Sequence, residues 1–138
     1  MTKQEFLAMS LPYGLKIKDS FSTPKLTGIM DNEYHFGDYL SIDGIEEVKP
    51  ILRPLSDLTK PIEHKGKTFV PIEVLDGKNS GIVGGHELAQ MLFEADYTIW
   101  DIKYATLQKL LEWKFDIADL ISKGEAIDVN TLDINPYK

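Results

Sequence analysis

The chain has 138 residues, of which 43% are hydrophobic and 27% charged, and it contains no cysteine. This length and apolar content fit one folded domain with its own core, and no apolar run approaches the roughly 18 residues of a membrane-spanning helix. Without cysteine there is no disulfide scaffold, cysteine nucleophile, thiolate zinc or iron–sulfur site, and 15 basic against 22 acidic residues, a net charge of −7, disfavour a duplex-phosphate surface.

Thr2 with Glu5 three residues later forms a capping-box pattern, so a short helix carrying Phe6, Leu7 and Met9 is predicted before Leu11-Pro12. Ser10 breaks this apolar stretch, which therefore does not read as a signal peptide. Tyr13 to Asp19 alternates apolar and charged residues as a half-buried strand does. Lys25–Met30 and Tyr34–Ile42 are two further strands, joined as a hairpin through Asp31-Asn32-Glu33. Val48–Leu55 holds two prolines and is expected at a sheet edge, followed by one helical turn capped by Ser56. Thr68–Leu75 is rich in β-favouring side chains, with Pro71 placing it at an edge or bulge. Asp76–Gly85 has four glycines in ten residues and reads as a flexible connection. Helical spacing then relates Leu88, Met91, Leu92 and Ala95, and again Tyr104, Leu107, Leu110, Leu111 and Phe115. Asp116–Gly124 continues or restarts that helix up to a Lys123-Gly124 stop, and Ala126–Asn130 adds a short final strand before Ile134–Lys138 trails off. The expected architecture is one α+β domain over 1–138: strand-rich at 11–75, a glycine-rich connection at 76–85, helical at 86–124, and a strand or tail at 125–138. A small, mostly antiparallel sheet from the first half is packed by helices from the second.

The chemistry-bearing residues form no strong motif. His35, His64 and His86 have no metal-ligand spacing, and His86-Glu87 lacks the second histidine of a HExxH helix because Gln90 stands there. Gly81–His86 leads into a helix and offers backbone N–H groups to an anion, yet it has neither the Lys-Ser/Thr of a P-loop nor the GxGxxG pattern. No serine sits in a G-x-S-x-G elbow. If the protein is an enzyme, a hydrolytic site near the glycine-rich loop built from His35, Asp38, His86 and Glu87 is the arrangement to test. Core filling is the ordinary role of aromatic residues, and the alternative for Tyr97, Trp100 and Trp113 is that they anchor a protein interface. The acidic balance would steer such an interface toward a basic partner. Lys103, Lys109 and Lys114 offer a locally basic face, against the overall charge.

Two stretches carry a resemblance. Lys49-Pro50-Ile51-Leu52-Arg53-Pro54-Leu55-Ser56-Asp57-Leu58-Thr59-Lys60 is one; Leu110-Leu111-Glu112-Trp113-Lys114-Phe115-Asp116, continued by Leu120 to Asp128, is the other. With Leu11-Pro12-Tyr13-Gly14, they resemble small uncharacterised proteins encoded in prophages and related mobile elements of gut-type bacteria, and they look like fold-defining segments. Such proteins have a histidine after the tryptophan, where this chain has Lys114. The resemblance implies a phage-derived context and brings no activity, cofactor or catalytic residue with it. The resulting expectation is a cytoplasmic accessory protein that binds a host or phage protein, or a second copy of itself, without metal, cofactor, membrane or nucleic acid.

Overall fold

The computed structural model describes residues 2–18, 23–30, 33–37, 40–75 and 104–138. Helix α1, Lys3–Ser10, begins at the capping box: the Glu5 N–H donates to the Thr2 hydroxyl, and the Thr2 N–H donates to the Glu5 carboxylate. Its buried Phe6 and Leu7 face the core. A 3-10 turn at Leu11–Tyr13 ends at Gly14, whose φ of +71° directs the chain into Leu15–Lys18. There the predicted alternation holds, with Leu15 and Ile17 buried and Lys16 and Lys18 pointing outward. Only single bridges form in this segment, Lys16 to Lys25 and Ile17 to Pro50.

Strands β1 (Leu26–Met30), β2 (Glu33–Phe36) and β3 (Leu40–Asp43) make an antiparallel sheet in that order, with β2 central. The stretch Tyr34–Ile42, predicted as one strand, is thus two, because the chain reverses at Gly37 (φ +58°) and pairs Phe36 with Leu40. Strand β4 (Ile51–Leu52) is followed by a 3-10 turn, Leu55–Thr59, that begins at Pro54 rather than at a Ser56 cap. Strands β5 (Ile62–His64) and β6 (Lys67–Phe69) form a hairpin through Lys65-Gly66. Both turn residues have positive φ, at 51° and 78°, the backbone of a type I′ turn.

Pro71 does not interrupt a strand. It opens helix α2, Pro71–Leu75, in which the Val70 carbonyl accepts from the Glu73 and Val74 N–H groups. A fixed φ and a missing N–H suit the first helical position. Helix α3, Tyr104–Glu112, buries Leu107, Leu110 and Leu111 as predicted, but Tyr104 lies off that face and is 70% exposed. Asp116–Gly124 is a series of turns rather than a helix. Strand β7, Ile127–Asp128, lies parallel to β4, pairing Ile51 with Ile127 and Leu52 with Asp128, and a 3-10 turn follows at Val129–Thr131. The protein is therefore α+β, and among the described residues its strands are distributed over three small sheets, one of them a parallel pair. The two stretches that carried the resemblance meet here, at the β4–β7 pair.

Among the described residues, the main core joins α1, the three-stranded sheet and α3 through Phe6, Leu7, Tyr34, Phe36, Leu110 and Phe115. Burying each such side chain contributes about 1.5–3 kcal/mol. A smaller cluster of Ile51, Val129 and Tyr137 lies beside β7. The residues expected to trail off are instead tied down by Tyr137, which is buried. No helix of the described residues is long and apolar enough to cross a membrane. The predicted glycine-rich connection and the Leu88–Ala95 helix lie outside the described residues.

Candidate functional site

The end of α3 organises the site. The Phe115 N–H donates to the Leu110 carbonyl and the Lys114 N–H to that of Leu111, the two bonds of a Schellman cap. Lys114 occupies the left-handed position of that cap with φ +65°, where glycine carries no side-chain penalty. Asp116 then holds the following turn through both carboxylate oxygens, each accepting a backbone N–H at 2.8 Å, from Leu120 and Ile121.

Arg53, only 2% exposed, follows β4 and clamps this end of the helix to the β5–β6 hairpin. Its Nε donates to the Trp113 carbonyl at 2.9 Å and its Nη2 to that of Glu63 at 2.7 Å. The backbone N–H of Arg53 donates to the Lys114 carbonyl, and its own carbonyl accepts from Asp116. The last residues close over this joint. The Tyr137 hydroxyl accepts from the Lys16 N–H and donates to the Ile51 carbonyl, both at 2.8 Å, while Lys16 Nζ donates to the Pro136 carbonyl at 3.0 Å. The Lys65 N–H donates to the Tyr137 carbonyl.

These contacts leave a cavity of about 640 Å³ with Lys16, Lys25, Lys65, Lys114 and Lys138 in its wall. Among the described residues Glu112 is the one carboxylate side chain in that wall, and it is already engaged by Lys109 at 3.3 Å. Lys114 is 2% exposed, donates to the Glu112 carbonyl at 2.6 Å and lies 5.3 Å from the Tyr137 ring centroid. Burial, then the charge of Lys65, lowers its pKa to about 8. His64 shares the wall and is 5% exposed, yet neither ring nitrogen has a hydrogen-bond partner among the described residues. Burial first, then the charge of Lys114, lowers its pKa to about 4, so the imidazole is neutral at pH 7. The wall thus sets a buried neutral histidine, without ring hydrogen bonds among the described residues, beside five lysines, of which Lys138 also reaches the Glu63 carboxylate at 3.8 Å.

A second hollow shares His64 and is lined on its apolar side by Phe69, Val74 and Trp113. Trp113 is 5% exposed and its ring packs 5.1 Å from that of Phe69, so it belongs to the core while bordering this hollow. His35 stands elsewhere, on β2, where Nε2 is 3.0 Å from the Glu33 carboxylate. Asp38, His86, Glu87, Tyr97 and Trp100 lie outside the described residues, as does Lys103. Of the other two lysines of the anticipated basic face, Lys109 pairs with Glu112 and Lys114 turns into the cavity wall. Lys16, Lys25, Lys65 and His64 carried no signal of their own, since more than 40 residues separate each of Lys16, Lys114 and Lys138 from the β5–β6 hairpin and only the fold joins them. Comparison of the chain with protein-family models, curated proteins and solved structures finds no match.

Proposed function

We propose that the protein is a binding protein whose lysine-lined cavity captures an acidic group, a carboxylate or a phosphate. The observation that carries this is the gathering around one cavity of five lysines and of His64, which has no hydrogen-bond partner among the described residues, in a chain of net charge −7. Its volume is in the range that holds a small ligand, roughly 300–1,000 Å³. The acid group belongs either to a free small polyanion or to an acidic segment of a partner protein. The phage-derived setting in a host cytoplasm, with a host or phage protein as that partner, is part of the same proposal. Of the residues of the hydrolytic alternative, only His35 lies among those described, and it pairs with Glu33 away from this cavity.

Calorimetric titration at low salt tests this with citrate, pyrophosphate and a glutamate-rich peptide in separate arms. One-to-one binding of the small anions identifies the free ligand, and binding of the peptide alone identifies the displayed acid. In either case Lys25→Gln with Lys65→Asn weakens binding roughly tenfold or more, each lost charge contact being worth about 1 kcal/mol. Asparagine suits position 65 because it tolerates positive φ. Absence of heat in all three arms, or binding indifferent to the double substitution, refutes the proposal.

A further inference from the structure

We propose that Lys114 is a nucleophile whose ε-amine captures the carbonyl carbon of an oxo acid as a reversible imine, while the neighbouring lysines hold the acid group. This rests on the anion-binding function proposed above. Two features of the geometry point to it, and the charges around it agree. Lys114 is buried in the wall of a cavity large enough for a small ligand, and it has no carboxylate partner among the described residues. It stands at a left-handed helix cap that glycine fills without strain, so a lysine is held there against the preference of the backbone. Burial, with Lys65, Arg53 and Lys16 as like charges around it, disfavours its protonated form despite the opposing Glu112 carboxylate.

The chemistry follows from the neutral amine. With a pKa near 8, roughly a tenth of Lys114 is unprotonated at pH 7, against roughly one part in three thousand for an ordinary lysine. The nitrogen lone pair attacks the carbonyl carbon and the π electrons move to oxygen, giving a carbinolamine. That oxygen leaves as water with the two amine hydrogens, and a C=N bond replaces the C=O bond. No oxidant or reductant is consumed. His64, neutral and with ring nitrogens free of hydrogen bonds among the described residues, shares that wall and is available to hydrogen-bond the carbonyl oxygen. A carboxylate beside the carbonyl meets the lysines, which distinguishes an oxo acid from a neutral aldehyde.

Reductive trapping tests the proposal. The protein is incubated with glyoxylate and cyanoborohydride, and the carboxymethyl adduct is mapped by peptide mass spectrometry. The expected result is labelling of Lys114 roughly tenfold or more faster than that of the surface Lys109 and Lys123. Its rate rises with pH about a midpoint near 8 and is suppressed by excess citrate. Lys114→Arg keeps the cation and loses the fast label; Lys114→Met serves as a second variant, each checked for folding by circular dichroism. Labelling spread over surface lysines according to exposure, or unchanged when Lys114 is replaced, overturns the proposal. Propanal in a parallel arm separates the two claims. If it labels Lys114 as fast as glyoxylate and citrate does not compete, the imine chemistry stands and acid capture falls. If citrate binds by calorimetry while Lys114 stays unlabelled, acid capture stands and the nucleophile falls.

Discussion

His64 shows how burial turns an ordinary residue into a sensor of pH. Its folded pKa of about 4 lies below the usual value of 6.5, so between those values the unfolded chain takes up a proton that the folded protein excludes. Stability is therefore unaffected by this group above pH 6.5 and declines as the pH falls toward 4, by up to about 3 kcal/mol. His64→Leu removes the titration together with two unpartnered ring nitrogens. Urea denaturation at pH 7 and pH 4.5 is expected to show a smaller loss of stability for His64→Leu than for the parent. An equal loss in both proteins locates the acid sensitivity elsewhere. Neither the burial of His64 nor its neighbours was legible in the sequence, where it is one of three histidines without ligand spacing. Arg53 is similar: it looks like a charge between two prolines, and it is a buried clamp whose side chain donates to two backbone carbonyls.

Elements with a purely local cause were readable. The Thr2–Glu5 capping box predicts α1, and β1 and β2 pair as the predicted hairpin, with Glu33 in β2 rather than in the connection. Elements that end through side-chain bonds or left-handed backbone were misjudged. Asp116–Gly124 has helical composition, but Lys114 reverses the chain and the Asp116 carboxylate takes the N–H groups of Leu120 and Ile121. At Pro71 the local pattern favoured a strand edge, while the preceding carbonyl was free to start α2. One hydroxyl makes two of the bonds that hold the C-terminal segment. Burial pushes the Tyr137 phenol well above its ordinary pKa, so it remains a donor to Ile51 while accepting from Lys16. Tyr137→Phe leaves that N–H and that carbonyl without their partner and is expected to cost about 2 kcal/mol in chemical denaturation. It also frees Lys16 from its place in the cavity wall, so citrate affinity falls in the same variant.

Across the whole molecule the charge distribution opposes its own sum. The chain carries a net charge of −7 while the wall of one cavity is basic, so short-range capture of an acid group is favoured while a long polyanion is opposed by the overall charge. Duplex DNA is expected to give no retarded complex at about 0.15 M salt, under conditions where citrate or the acidic peptide binds. A stable complex with duplex at that ionic strength contradicts this balance. Composition, alternation at Leu15–Ile17 and helical spacing at Leu107–Leu111 were sufficient by themselves for the α+β class and much of the core, because hydrophobic periodicity is written locally along the chain. Gathering Lys16, Lys65, Lys114 and Lys138 around His64 required tertiary structure, because these residues come from a strand-like segment, a hairpin turn, a helix cap and the last residues of the chain. Their meeting depends on the β4–β7 pairing, the Arg53 clamp and the Tyr137 hydroxyl. Each of these is a long-range interaction with no periodic signature, and burial away from water is what gives the joined side chains their altered chemistry.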